Sequence, residues 1–369
     1  MAEVVCLGEA LIDFVANESG VGVGDASGFV KAVGGAPANV AVGLARLGVS
    51  SAFLGKVGDD PFGRHIEQTF AEAGVDTSGM VFDKTNRTGL AFVSLTESGE
   101  RDFCFFRNPS ADMLYTIEEL DEEMIVRAKC FQYGSITLIQ EPSRATTLHA
   151  AQLARDHNLL VSYDPNLRPP LWNSLKDAQT GLLSGVPFAD IVKVSEEELA
   201  FMLHPQAVLS ETPPEPAELE RLAEAFCERF PKVQLLAVTR GAKGCYWRTQ
   251  SETFIAEEFF DDLQMARGIG SLQVEPVNVV DTTGAGDGFV AGILKGLLEL
   301  LEDSAFSEWE FLDDEETLQE IFRFACAVGT LTTLQKGAIP ALPTMAQVER
   351  FFAENPQFGT LPSPDFERG

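Results

Sequence analysis

Val279-Val280-Asp281-Thr282-Thr283-Gly284-Ala285-Gly286-Asp287-Gly288 reads as a strand that stops, a glycine-rich turn, and a helix starting near Asp287 and running toward Leu301. A turn of this kind presents backbone N–H groups at a helix N-terminus, where anionic oxygens are well placed. A carboxylate in the first turn of the same helix gains from the helix dipole and stays ionised. An anion cradle and an ionised base within one turn of each other suit phosphoryl transfer to a hydroxyl. The same letters also describe an ordinary tight turn with a capping Asp. The rest of the chain has to separate the two readings.

The helix after the turn carries its own information. Gly284, Gly288, Gly292 and Gly296 recur every four residues, while Phe289, Val290, Ile293, Leu294, Leu297 and Leu298 make the other faces apolar. Glycine inside a helix costs roughly 1 kcal/mol against Ala, so a closely packed partner is expected along the stripe. This predicts a central buried helix that holds Asp287 rigidly.

Working outward, β and α patterns alternate, which is the signature of a parallel sheet covered by helices. Strands are expected at 4–8, 51–57, 131–139, 159–163, 190–194 and 234–239, and helices at 61–73, 143–157, 175–184, 195–203 and 217–229. Residues 88–106 depart from that rhythm. Leu90, Phe92, Ser94 and then Phe103, Phe105 alternate across Glu97-Ser98-Gly99-Glu100, a β-hairpin pattern. With the Gly-rich segment near 15–35 it would form a small sheet over the main one. The expected division is an α/β core of residues 1–14, 36–87 and 113–369, and a β lid of residues 15–35 and 88–112. The core is read as three-layer α/β/α with a mostly parallel sheet.

In open α/β sheets ligands bind beyond the carboxyl ends of the strands, and polar groups collect there. Asp13 follows the first strand inside the apolar run Leu11-Ile12-Asp13-Phe14-Val15, where an unpaired carboxylate is costly. Gly34-Gly35-Ala36-Pro37-Ala38-Asn39 opens a helix with two glycines that permit close backbone approach to a ligand, or a hinge. Asn39 on that first turn suits either a sugar hydroxyl or a capping role. Tyr163-Asp164-Pro165-Asn166-Leu167-Arg168 and Val238-Thr239-Arg240-Gly241-Ala242-Lys243-Gly244 are two further polar or glycine-rich strand exits.

Composition narrows the partners. A net charge of −29 over 369 residues repels nucleic acid and anionic membrane surfaces. The ten acids between Glu299 and Glu320, with no Lys or Arg among them, read as a solvated face. Six cysteines are scattered without CxxC or Cys/His metal spacing, as expected of thiols in a reducing compartment. Met1-Ala2-Glu3-Val4-Val5-Cys6 reads as a strand and not as a signal peptide, so a cytoplasmic protein is expected. GxxxxGK[ST], GxGxxG after the first strand, GxSxG and HExxH are all missing, and none of the four histidines lies in a glycine-rich turn.

On these stretches, together with Gly55-Lys56-Val57-Gly58-Asp59-Asp60, Arg107-Asn108-Pro109-Ser110-Ala111-Asp112-Met113 and Gly337-Ala338-Ile339-Pro340, the chain resembles the PfkB (ribokinase-like) family of carbohydrate kinases, fructokinase subgroup, from about residue 3 to 345. The resemblance implies ATP-dependent phosphorylation of a small sugar, D-fructose at its 6-hydroxyl, with Mg²⁺ and K⁺. Asp287 would be the base, and Gly284, Ala285 and Gly286 the anion hole. Asp13, Gly34, Gly35, Asn39, Arg107 and Arg168 would face the sugar, and Thr239, Gly241 and Gly244 the nucleotide. Asp281 would bind K⁺. Glu198 would help place Mg²⁺ indirectly, with Ser195 standing where the family has Asn. Cys326 stands where related kinases often have an Asn near the adenine. A homodimer through the lid is also implied. A 2-keto-3-deoxygluconate kinase using Arg107 and Arg168, and a catalytically silent regulatory or sugar-sensing protein, remain open at this point.

Overall fold

A computed structural model describes residues 1–95, 101–205, 214–250, 279–302, 312 and 314–356. The strands are β1 (Val4–Leu7), β2 (Leu11–Ala16), β3 (Phe29–Gly34), β4 (Ser51–Gly58), β5 (Met80–Asp83), β6 (Leu90–Leu95), β7 (Arg101–Phe106), β8 (Cys130–Gly134), β9 (Leu160–Asp164), β10 (Ile191–Ser195), β11 (Leu235–Thr239) and β12 (Cys245–Thr249). The helices are α1 (Ala36–Arg46), α2 (Pro61–Glu72), α3 (Glu122–Val126), α4 (Ser143–Asp156), α5 (Leu175–Gly185), α6 (Glu196–Leu203), α7 (Pro216–Arg229), α8 (Ala285–Glu302), α9 (Glu315–Thr332), α10 (Ala338–Ala341) and α11 (Met345–Glu354).

Among the described residues, eight strands form the main sheet in the order β12-β11-β10-β9-β8-β1-β4-β5, parallel except for the β11–β12 pair. The chain leaves β1 in one direction for β4 and β5, then returns to the other side of β1 through β8, β9, β10 and β11. That reversal opens a crevice at the carboxyl ends of β1 and β8. Two apolar cores fill the spaces on either face. One gathers Val40 and Leu44 of α1, Ile66 and Phe70 of α2, and the apolar faces of α8 and α9. The other gathers Ala150 and Ala154 of α4, Leu182 of α5, Phe201 of α6 and Phe226 of α7. The result is the three-layer α/β fold the alternation predicts.

A second sheet of four strands, in the order β3-β2-β6-β7, stands beside the crevice. β6 and β7 are antiparallel, as the alternation of 88–106 implies, while the Glu97–Glu100 tip lies outside the described residues. The small sheet starts earlier than residue 15. The Gly8-Glu9-Ala10 connector breaks the chain after β1, and Leu11–Ala16 pairs with β3 and β6. Asp13 therefore sits within a strand of the small sheet and not in a loop after β1.

Two other expectations are corrected. The apolar run 131–139 is a strand only to Gly134, because a 3₁₀ turn over Ile136–Leu138 follows and Ser135 Oγ donates to Asn166 O at 2.8 Å. Val279 and Val280 are not a strand. The N–H groups of Val280 and Asp281 both donate to Thr333 O just after α9, and the two valines are exposed. β-branched residues read as strand by propensity, but here the chain only crosses the end of a helix. Residues 257–273, an irregular stretch of the sequence, part of the 299–320 acidic run and part of the Pro-rich sequence at 212–216 lie outside the described residues.

The glycine stripe of α8 is matched by close neighbours. A Cβ at Gly292 would stand 2.6 Å from Ala325 Cα, one at Gly296 3.0 Å from Ile321 Cγ1, and one at Gly288 2.7 Å from Thr332 Oγ1. On another side, Ala291 Cβ lies 2.9 Å from where a Cβ on Gly43 of α1 would stand. α8 is thus clamped between α1 and α9, and its first turn points at the crevice.

Candidate active site

The crevice between the two sheets is a cavity of about 570 Å³. Asp287, Gly284 and Gly286 line it from the start of α8, Asp13 and Arg107 from the small sheet, and Gly35 and Asn39 from the start of α1. Arg168, Ser195, Glu198 and Asp281 also line it. Of the residues singled out in the sequence, Gly34, Ala285, Thr239, Gly241, Gly244 and Cys326 do not. Glu9, Ser94, Lys193 and Lys336 line the cavity but carry no sequence signal of their own.

Asp287 is 7% exposed, and its Oδ2 accepts a 2.7 Å hydrogen bond from Asn39 Nδ2. Burial raises its pKa; the Asn39 hydrogen bond and the charges of Lys193 and Arg168 pull it back, and the net direction is upward. An aspartate so placed is a stronger proton acceptor than one in water. Gly284 at φ 81° makes the turn that exposes the first N–H groups of α8, a conformation open to glycine. Ala285 N–H is turned back on Thr282 O at 3.3 Å, which explains why Ala285 does not line the cavity.

Gly35 caps α1 at φ 118°, and a side chain there would run into the carbonyl of Glu9. A Cβ at Gly34 would occupy the place of the Asp13 carboxylate, so Gly34 shapes the site from behind its wall. Arg107 is only 6% exposed and is ion-paired with the buried Asp112. Arg168 Nη1 donates to Leu167 O at 2.8 Å.

Lys193 extends from β10 into a cluster of acids. Its Nζ lies 3.3 Å from Asp164 Oδ1 and 2.9 Å from where a Cβ of Gly286 would be. Burial works against its charge, yet Asp164, Glu198 and Asp287 outweigh that and hold its pKa above the ordinary value. Burial pushes Asp164 up to about 7 despite the nearby ammonium.

Glu198 and Ser195 form a capping box at the start of α6. Glu198 Oε2 accepts from Ser195 N at 2.8 Å, while Oε1 accepts from Leu167 N at 2.9 Å. With both oxygens holding backbone, Glu198 fits a metal through water better than by direct contact. Among the described residues no group of three or more His, Cys, Asp or Glu is arranged to hold a metal. Asp281 joins two segments: Oδ1 accepts from Thr283 N at 2.9 Å and Oδ2 from Gly337 N at 2.9 Å. A half-buried carboxylate fixed between backbone segments is a suitable oxygen donor for a monovalent cation.

The remaining residues gather next door. Thr239 is in register with Ser195 across β10 and β11, and the turn Gly241–Gly244 follows it. Cys245 comes directly after that turn, and its Sγ lies 3.4 Å from Cys326 Sγ of α9. The cavity and this turn therefore share one edge of the sheet.

The model of the pfkB family of carbohydrate kinases matches residues 1–345, so the chain belongs to that family. It is 47% identical over 345 residues, 94% of this chain and 81% of the relative, to probable fructokinase-6, chloroplastic, of Arabidopsis thaliana. Fructokinase with bound ATP from Xylella fastidiosa superposes with a TM-score of 0.78 at 33% identity, covering 96% of this chain and 99% of that one. A double mutant of fructokinase from Vibrio cholerae O395, with fructose, ADP and potassium ion bound, gives 0.75 at 33% identity over 95% of this chain and 98% of that one. No helix among the described residues is long and apolar enough to cross a membrane.

Proposed function

We propose that the chain transfers the terminal phosphoryl group of ATP to the 6-hydroxyl of D-fructose. The observation that carries this is Asp287: a buried carboxylate, aimed by Asn39 into the cavity, in the first turn of the helix whose glycine turn faces the same space. Asp287 takes the hydroxyl proton, the freed oxygen bonds to phosphorus, and the bond from phosphorus to the departing ADP oxygen breaks. The N–H groups of Gly284 and Gly286, at the start of α8, stabilise the charge that grows on the phosphoryl oxygens. Asp13, Gly35, Asn39 and Arg168 hold the sugar, and Thr239, Gly241, Gly244 and Cys326 bound the nucleotide. Mg²⁺ near Glu198 and K⁺ at Asp281 would supply neutralising charge on the phosphates and around the turn.

The small sheet acts as a lid over the sugar and excludes water. Its edge strands carry exposed Val30 and Phe106, which supports a homodimer built on this sheet, to be tested by light scattering. The scattered thiols support a cytoplasmic setting. Arg107 is neutralised by Asp112 and the cavity wall carries Asp13, Glu18 and Asp281, which disfavours an acidic sugar. An assay of D-fructose beside 2-keto-3-deoxygluconate, with ATP, Mg²⁺ and K⁺, tests the reading. Turnover confined to the acid would replace it, and sugar binding without turnover would make the protein a sensor. Asp287→Ala should lower kcat by about two to four decades with the fold intact.

A further inference from the structure

Four residues that line the cavity each carry a buried polar atom with no hydrogen-bond partner among the described residues: Glu9 Oε2, Asn39 Oδ1, Ser94 Oγ and Arg107 Nε. Glu9 is the one whose environment most demands a ligand. It lies in the connector from β1 to the small sheet, is 3% exposed, and uses Oε1 to accept the Ala36 N–H of α1 at 2.9 Å. Glu9 lines the cavity, and its other oxygen is buried without a partner. Burying a polar oxygen without a partner is costly, and more so for an ionised one. The site is relieved of that cost when a bound molecule brings a hydroxyl, which donates or accepts as needed.

We infer that Glu9 is a substrate-contacting, specificity-determining residue, with Oε2 hydrogen-bonded to one hydroxyl of the bound sugar while Oε1 keeps the start of α1 in place. This rests on the sugar-kinase reading. A sugar lacking that hydroxyl would leave a buried carboxyl oxygen unpaired, and a site built this way discriminates strongly against the deoxy analogue. Because the same side chain holds α1, the helix that carries Asn39, occupancy of Oε2 also links sugar recognition to the placement of Asp287.

The test is a cycle of enzyme and substrate deletions on the full chain. Wild type, Glu9→Met and Glu9→Gln are assayed with D-fructose, 1-deoxy-, 3-deoxy- and 4-deoxy-D-fructose and 2,5-anhydro-D-mannitol. Glu9→Gln retains an oxygen for Ala36 N–H and covers the case in which Glu9→Met does not fold. In wild type, one hydroxyl deletion should raise KM by about tenfold or more. In Glu9→Met, fructose KM should rise about tenfold while the penalty for that one deletion disappears, and in Glu9→Gln the penalty should shrink. A purely structural role for Glu9 would raise KM equally for every analogue, and that outcome, or variants that match wild type throughout, overturns the inference alone. If wild type neither binds nor phosphorylates any of these sugars, the kinase reading fails and the inference falls with it.

Discussion

Asn39 and Asp287, 248 residues apart in the chain, are joined side chain to side chain by a buried hydrogen bond of 2.7 Å. It links the first turns of α1 and α8, two helices whose N-termini face the cavity. The bond fixes one carboxylate oxygen and stabilises the charged form of Asp287. Asn39 thus tunes the acid as well as aiming it.

Asn39→Leu should expose that tuning. The Asn39 hydrogen bond lowers the Asp287 pKa, while burial raises it. Removing the bond lets the pKa climb further, so the acid limb of the kcat/KM profile should move to higher pH. Turnover at neutral pH should fall about tenfold or more as the base is protonated and misaimed. An acid limb that stays where wild type has it would separate Asn39 from the ionisation of Asp287.

How much of this was legible beforehand differs from residue to residue. The βα alternation and the period-4 glycines of α8 are local patterns, and local patterns predict elements and their buried faces. The Asn39–Asp287 contact is not local, and no spacing rule places two residues so far apart on facing helices. The apolar neighbours of Asp13 mark it in the sequence, but its strand belongs to the small sheet, which only the long-range pairing of Leu11–Ala16 with β3 and β6 reveals. β-propensity describes side-chain fit to a sheet, and no strand among the described residues pairs with Val279 and Val280. The importance of Glu9 and Lys193 lies in burial, which one sequence does not display.

Gly292→Ala tests the clamp that holds α8. The added Cβ would press on the Ala325 backbone at 2.6 Å, and backbone inside a helix yields poorly. Helix propensity favours Ala by roughly 1 kcal/mol, but overpacking of this kind costs typically about 1–3 kcal/mol. Denaturant unfolding should therefore show a net loss of stability of about 1 kcal/mol. A stabilised variant would mean that α8 and α9 separate easily.

Glu9→Gln should change how stability depends on pH. Burial pushes the Glu9 carboxyl from an ordinary 4.5 up to about 7. A raised folded-state pKa means that the folded protein binds the proton more tightly. The stabilisation from that proton is complete below about 4.5 and lost as pH rises through 7. A Gln carries no such penalty. The Tm of Glu9→Gln relative to wild type should thus be higher at pH 8 than at pH 5, by an amount corresponding to about 3 kcal/mol at most. Equal differences at both pH values would show that Glu9 is not held protonated by its surroundings.

Lys193→Met probes the balance of charge under the turn. In the folded protein Lys193 faces Asp164, Glu198 and Asp287, with Arg168 the further cation near Asp287. Removing one partner of a buried ion pair leaves the other uncompensated, at a cost of about 3–5 kcal/mol. The carboxylates can escape that cost only by taking up protons. Lys193→Met should therefore lose most stability at pH 8 and recover part of it toward pH 5, where Asp164, already pushed up to about 7, is protonated. Proton uptake on refolding, followed by titration, should rise in the variant. A stability loss that is the same at both pH values would assign Lys193 to packing, and would leave the charge of the site to Arg168 and the bound phosphates.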